Sequence, residues 1–407
     1  MKILLVKQLF NPEPTAKSLD FAKELIRRGH EVEVLTGFPS YPLGKIYEGY
    51  RQSLFKREMM EGVSLIRVPI YPDHSSSGIK RFMHYFSYAI SATFIGLFLV
   101  RKPDVCFVYQ GAIPAAIPAI ILKKLRGVPF LYDINDLWPE TVAASGMLQK
   151  KGALKIINAW CNFNYRNASF ISVATPGFYK RLISKGVSSE KMEIISNWSR
   201  DVISEERLPQ NILDTYFRKE TINILYAGNL GIVQSLETIL KTARKLQEQG
   251  NKKIQFIFLG GGADEANLKN KSIDWELENV QFIPRVVSRE VTKYLNAADF
   301  LLVHLKKDEL FTITIPSKIL AYLKSGKPIL MGLEGDARDI LENAQAGYAF
   351  EPDNPADLEE QIKKMMSLSD LEIEAMGVRG MNYYENHLSM MSSVDKLERN
   401  FKKIVKN

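Results

Sequence analysis

Four short stretches of this 407-residue sequence carry residue types that can act on an anion or a hydroxyl group. The first is Leu131-Tyr132-Asp133-Ile134-Asn135-Asp136-Leu137-Trp138-Pro139-Glu140, which places three carboxylates within eight residues. An apolar run leads into it, so the acids belong to a loop at the carboxyl end of a strand. Asp133 or Asp136 could orient a ligand hydroxyl or accept its proton; both could equally hold backbone amides. The second is Tyr226-Ala227-Gly228-Asn229-Leu230-Gly231-Ile232-Val233-Gln234, a strand, a glycine loop and a helix start. Gly228 and Gly231 would let backbone amides approach a phosphate there. Gly260-Gly261-Gly262 repeats the pattern after the next strand, and two such loops point to a nucleotide more strongly than one. The third is Arg285, just past a strand end. The fourth is Ile315-Pro316-Ser317-Lys318, where Pro316 fits a first helical turn. A lysine at the positive end of a helix is electrostatically awkward unless an anion joins it. Plain solvated side chains are the alternative for Arg285 and Lys318. The loop after the first strand, from Phe10 through Glu13, Thr15 and Ala16 to Ser18, lacks the glycines of the dinucleotide fingerprint and argues against nicotinamide or flavin. Thr15 or Ser18 could cap the following helix and leave amides for a polar group.

The elements that must position these residues alternate regularly. Short β-branched runs at 3–6, 31–36, 63–68, 104–109, 129–133, 170–174 and 192–196 are separated by amphipathic or apolar stretches such as 18–28 and 154–167. The rhythm restarts after the polar stretch 199–219, with strands expected at 222–227, 254–259, 280–283, 300–305, 328–333 and 348–351. Alternating β and α elements predict parallel sheets covered on both faces, with ligand sites at the carboxyl ends of the strands. The length suits two such domains, here 1–200 and 201–385, with 386–407 as a helix returning to the first. Cys106 and Cys161 stand in apolar or aromatic surroundings, read as buried thiols in a reducing compartment, and no Cys/His spacing suggests a metal. The net charge of +8 favours a polyanionic partner. No nucleic-acid module is legible, which leaves phosphorylated ligands or an anionic membrane.

The stretch 82–100 holds no full charge and is flanked by Lys80-Arg81 and Arg101-Lys102. It is long enough to cross a membrane. It also contains His84, Ser87 and Ser91 and leads straight into a strand, so a helix packed on the sheet and touching a bilayer surface is expected over a span.

With these residues in view, the chain resembles the retaining glycosyltransferases of family four, which have the GT-B fold of two Rossmann-like domains facing across a cleft. It looks most like the branch that builds bacterial O-antigens and capsules, including transferases of N-acetyl-L-fucosamine. The matches are Arg28-Gly29-His30-Glu31-Val32-Glu33-Val34-Leu35-Thr36, Pro39-Ser40-Tyr41-Pro42-Leu43-Gly44, Asp136-Leu137-Trp138-Pro139-Glu140, Ala227-Gly228-Asn229-Leu230-Gly231, and Ile315-Pro316-Ser317-Lys318 ahead of Ser325-Gly326-Lys327-Pro328. The resemblance implies transfer with retention, no metal and no cofactor beyond a UDP-sugar donor. It implies a lipid-diphosphate-linked glycan as acceptor, at the inner face of the cytoplasmic membrane. Asp133, Asp136, Arg285 and Lys318 would be catalytic. Gly228, Asn229, Gly231, Gln234, Gly261, Arg285, Val286, Ile315, Pro316, Ser317 and Lys318 would surround the nucleotide-sugar. Glu13, Thr15, Ala16, Asn135 and Trp138 would hold the acceptor. Asn229 and Gln234 stand where many relatives carry cations for the diphosphate. The glutamate expected on the ribose falls on Ala321, and its spaced companion falls near Ile313. A sugar-nucleotide epimerase on the same fold, and a homologue that has lost catalysis, are the competing readings.

Overall fold

A computed structural model describes residues 1–75, 77–141, 150–199 and 206–406. The chain forms two units, Met1–Asn197 with Ser393–Asn407, and Trp198–Ser392.

The first unit is built on an eight-stranded sheet. Its strands are β1 (Lys2–Val6), β2 (Glu31–Gly37), β3 (Lys56–Met60), β4 (Val63–Val68), β5 (Val105–Tyr109), β6 (Phe130–Ile134), β7 (Phe170–Val173) and β8 (Met192–Ile194), in the spatial order β3-β4-β2-β1-β5-β6-β7-β8. The central strands read as unbroken apolar runs because both sheet faces are covered; Leu4, Leu5, Phe107 and Leu131 are wholly buried. The sequence gives no hint of β3, whose Lys56-Arg57-Glu58-Met59-Met60 lacks a strand's composition. It pairs antiparallel with β4 through Glu61-Gly62, both at positive φ (45° and 85°), the backbone of a type I′ hairpin turn. As an edge strand it tolerates charge. Helices α1 (Leu19–Arg27), α2 (Gly78–Leu99), α3 (Ile117–Arg126), α4 (Lys151–Asn167) and α5 (Pro176–Ser184) connect the strands. Right-handed crossovers put α1 on one face and α2, α3 and α4 on the other. The α1 face also receives the C-terminal helix, through Arg28 to Asp395 (2.5 Å) and Glu398 (3.1 Å) and the Phe107–Phe401 ring contact.

The second unit carries a six-stranded, fully parallel sheet: β9 (Ile222–Asn229), β10 (Ile254–Gly261), β11 (Val280–Ile283), β12 (Phe300–His304), β13 (Ile329–Gly332) and β14 (Gly347–Ala349), ordered β11-β10-β9-β12-β13-β14. Its helices are α6 (Gln210–Tyr216), α7 (Glu237–Glu248), α8 (Glu265–Asp274), α9 (Ser288–Ala297), α10 (Glu309–Thr312), α11 (Ser317–Lys324), α12 (Asp336–Ala344), α13 (Pro355–Met366) and α14 (Asp370–Tyr383), and α15 (Met390–Lys406) leads back to the first unit. Part of the polar stretch expected to separate the domains is integral to this second unit: Leu208 and Phe217, either side of α6, are buried in its core.

Helix α2 packs on the first sheet. Tyr88 is fully buried and donates to the Leu35 carbonyl (2.9 Å), and a Cβ at Gly96 would meet Leu35 at 3.0 Å. Among the described residues it is the one helix long and apolar enough to cross a membrane, but crossing would strip this inner face from the sheet. Both cysteines are free and buried.

Candidate functional site

In the second unit the carboxyl ends of β9 and β10 approach so closely that side chains are excluded. A Cβ at Gly260 (φ 144°) would lie 1.9 Å from the Gly228 carbonyl oxygen. A Cβ at Gly228 (φ 141°) would lie 3.1 Å from Lys318 Nζ. Gly228 therefore opens a slot that the lysine fills from the first turn of α11, where Pro316 is the cap residue. Lys318 is partly exposed along its stem, but Nζ is withdrawn from solvent. It sits 3.6 Å from the centroid of the Tyr226 ring, with no hydrogen-bond partner among the described residues. Burial lowers its pKa to about 7. An unpaired buried ammonium is costly, and the first-turn amides beside it have no acceptor within their helix. The arrangement is shaped for an anion.

The loop that follows β9 differs from expectation. The chain makes a 3₁₀ turn, Ile232–Gln234, before α7 begins at Glu237. Gln234 Oε1 accepts from the Gly231 amide (3.1 Å) and from Asn229 Nδ2 (3.3 Å). The Gly231 amide is thus occupied from within, and the two residues standing in cationic positions bond each other. Behind them is His304, which sequence reasoning missed. It is fully buried at the end of β12, Nδ1 2.8 Å from the Gln234 carbonyl, while Nε2 accepts from the Asp353 amide (3.1 Å). Those contacts fix a neutral tautomer, and burial lowers its pKa. A histidine closing an apolar strand at the ligand edge was the available signal. Tyr226 donates to the Asn229 carbonyl (2.7 Å), and Tyr322 bonds both backbone groups of Ala227. Gly261 ends β10 in register with Asn229. Arg285 is exposed beyond β11, the outermost strand, while Val286 and Ile315 anchor their loops in the core. Ser317 is exposed; Ala321 is buried within α11.

In the first unit, a pocket of about 370 Å³ opens beside the loop after β1, lined by Thr15, Ala16, Tyr85, Tyr109, Gln110 and Asp136 among others. Lys7, under the Tyr109 ring (3.5 Å), holds the loop through Thr15 Oγ1 (2.9 Å) and the Ala16 carbonyl (2.5 Å). Glu13, Asn135 and Trp138 are not part of the wall. Glu13 is buried and accepts from the amides of Phe10, Ser40 and Tyr41 (3.1, 2.8 and 2.8 Å). Burial raises its pKa against the lowering by those amides. Its part is to tie two loops together.

Asp133 also needs correction as a group facing the ligand. It is 1% exposed and its carboxylate is saturated, by Lys17 Nζ (2.7 and 2.8 Å), Ser172 Oγ (2.6 Å) and Asn135 Nδ2 (2.9 Å). Glu140 pairs with Lys185 (2.8 Å) and Arg181 (3.0 Å), and Trp138 offers its carbonyl to Lys185 (3.5 Å). Of the acidic loop, Asp136 alone reaches the pocket. The surrounding atoms raise its pKa by desolvation, and its accessible surface limits that effect. Two further wall residues gave no sequence signal. Gln110 is 1% exposed with both amide atoms unpartnered among the described residues, and Gln8 leaves its Nε2 unpartnered. Aromatic faces beside unpaired amides and a carboxylate can bind a neutral polyhydroxy compound.

Comparison with known proteins agrees with this division. Residues 14–198 match the Glycosyl transferase 4-like domain and residues 212–376 match Glycosyl transferases group 1. The chain is 29% identical over 343 residues to the colanic acid biosynthesis glycosyl transferase WcaI of Escherichia coli (strain K12), covering 80% of this chain and 82% of that one. It is similar in fold to a trehalose-6-phosphate structure from E. coli bound with UDP-2-fluoro glucose (TM-score 0.74, 10% identity, 100% and 99% of the chains). It is also similar to Anabaena HepE in complex with UDP (TM-score 0.71, 13% identity, 99% and 100%).

Proposed function

The chain belongs to the GT-B glycosyltransferases of family four, and on that premise we propose that it transfers a sugar from a UDP-sugar to a lipid-diphosphate-linked glycan, with retention and without a metal. The observation that carries the donor half is Lys318: a buried, unpartnered ammonium at a helix N-terminus beside the Gly228 slot. The fold neighbours whose structures hold UDP or UDP-2-fluoro glucose support a UDP-sugar. The WcaI relative supports a surface polysaccharide as the product. Within that class we assign O-antigen or capsule assembly at the inner face of the cytoplasmic membrane, and an N-acetylated deoxyamino sugar such as N-acetylfucosamine as the unit moved.

As the bond to the anomeric carbon breaks, negative charge grows on the departing β-phosphate. Lys318, with Arg285 from the outer strand and the first-turn amides of α11, stabilises it, and electrostatics supplies the largest part of the acceleration. Asp136, facing the pocket of the first unit, orients the acceptor hydroxyl. Asp133 acts one step removed: with Lys17 it fixes the loop that carries the pocket wall. The deciding experiment is calorimetry with UDP on Lys318→Met and Arg285→Ala, paired with transfer assays. UDP binding that survives unchanged in both variants refutes the assigned site. No binding of UDP by the native protein favours a chain that has lost catalysis, the reading motivated by Ala321. Conversion of a UDP-sugar without an acceptor favours an epimerase.

A further inference from the structure

Helices α2, α3 and α4 lie on the same face of the first sheet, and none of them contains an aspartate or glutamate. They carry two, three and three lysines or arginines respectively. Those eight cations equal the whole net charge of +8, so the rest of the chain holds as many acids as bases. Lys80, Lys124, Lys151, Lys155 and Arg166 are exposed and take part in no ion pair among the described residues. Acids and bases are interspersed elsewhere in the chain, and ion pairs are frequent there; here they are segregated.

The same face is apolar. Along α2, Ile79, Phe82, Ile90, Phe94 and Phe98 are 77%, 56%, 55%, 62% and 82% exposed. Their three- to four-residue spacing, with Phe86 between, draws one stripe down the helix. Ile156 on α4 and Leu125 on α3 add 70% and 68% exposed side chains. The three helices are knit together: the Phe86 and Trp160 rings are 5.2 Å apart, Lys124 lies over the Phe163 ring (5.7 Å), and Arg126 bonds the carbonyls of Leu97 and Val100. A contiguous apolar stripe rimmed by charge is the mark of an interaction surface.

We propose that this face docks in the headgroup region of an anionic bilayer, phenylalanines at the acyl boundary and lysines at the phosphates. Charge decides the occupant. A second copy would bring two acid-free cationic faces together, which like-charge repulsion opposes, whereas an anionic lipid surface complements both the stripe and its rim. The opposite side of α2 contributes Arg81, His84 and Tyr85 to the pocket of the first unit. One helix therefore borders both lipid and pocket, and, on the proposed function, brings the glycan of a membrane-anchored acceptor within reach of Asp136.

The test is flotation of the full chain with vesicles of phosphatidylcholine alone or with about a third phosphatidylglycerol. Binding to the anionic vesicles alone, weakened at about 0.5 M salt, is expected. Lys124→Glu/Lys155→Glu should weaken partitioning at least ~25-fold, from about fivefold per lost cation. Phe94→Ser/Phe98→Ser should also weaken it, with UDP binding and thermal unfolding unchanged in both variants. If either double variant misfolds, the single Phe98→Ser at the most exposed position replaces it. Absence of binding to anionic vesicles, equal binding to neutral ones, or native binding in both variants overturns the proposal. So does a concentration-dependent dimer in sedimentation that Phe98→Ser abolishes. UDP calorimetry on the same samples separates failure of docking from failure of the donor assignment.

Discussion

Replacing Lys318 with methionine should make the empty protein more stable and its donor binding worse. The side chain is held with its ammonium out of water, unpartnered, and with a pKa lowered to about 7 by burial. In the unfolded chain the same lysine titrates near 10.5. Between these values the unfolded state binds the extra proton, so the lysine's contribution to stability rises with pH from about 7 to about 10.5. Below pH 7 both states are protonated and the penalty is at its greatest, up to about 5 kcal/mol at ~1.4 kcal/mol per unit. Lys318→Met removes the titration, so the gap in unfolding free energy between variant and native protein should be widest near pH 6 and close toward pH 10. Donor binding has the opposite sign. A diphosphate wants the ammonium, and above pH 7 each bound ligand must bring a proton in. From pH 7 to 8.5 the affinity for UDP-glucose should therefore fall about 15-fold. Calorimetry in buffers of differing ionisation enthalpy should report uptake of about half a proton at pH 7, approaching one at pH 8.5. In Lys318→Met the uptake should vanish and affinity at pH 7 should drop about 10- to 100-fold, the value of a charge-assisted hydrogen bond. Affinity independent of pH over this range, no buffer dependence, or a variant less stable than the native protein at pH 6 would overturn the assignment of Lys318 as a desolvated ammonium at the donor site.

Three further outcomes follow from contacts already described. Lys17→Met strands the buried Asp133 carboxylate and should cost about 3–5 kcal/mol in urea unfolding, while Lys17→Met/Asp133→Leu should recover part of the loss. Asp136→Asn should leave the melting temperature in place and lower turnover about 10²-fold or more, whereas Asp133→Asn should first lower stability. Gly260→Ala drives a methyl group into the Gly228 carbonyl and should cost more than about 2 kcal/mol and weaken UDP binding in calorimetry.

The sheets were legible because parallel strands covered on both faces must be apolar throughout, as Leu4, Phe107 and Phe258 are. The hairpin strand β3 was not, since its polar residues follow from its edge position and not from its partner. Lys318 was legible for a physical reason, a cation at a helix start. The glycine loops were recognised, but the close approaches that demand glycine were not: Gly228 and Gly260 give passage to a lysine and a backbone, and the Gly231 amide is engaged by Gln234. Asp133 and Asp136 could not be separated from spacing alone. The residue that decides between them, Lys17, lies 116 positions before Asp133. Gln8, Gln110 and His84 carry no local pattern, because only the fold gathers them at the pocket of the first unit.

Ala321 is the position where the ribose contact and the unpaired lysine meet. It occupies the place of the expected ribose-binding glutamate, yet it is buried three residues after Lys318 on the same short helix. Side chains at that spacing share a helix face. A carboxylate introduced there would meet the ammonium before it met a ligand. Ala321→Glu should thus supply Lys318 with an internal counter-ion, raise its pKa toward the ordinary lysine range and abolish the proton uptake that accompanies UDP binding. The diphosphate would then compete with a built-in acid, and UDP affinity should fall. If Ala321 marks only a lost ribose contact, the same substitution restores that contact, and affinity rises with proton uptake retained. The two results differ in sign, so one calorimetric series on Ala321→Glu at pH 7 and 8.5 discriminates between a donor site organised around an unpaired lysine and one that has merely lost a hydrogen bond.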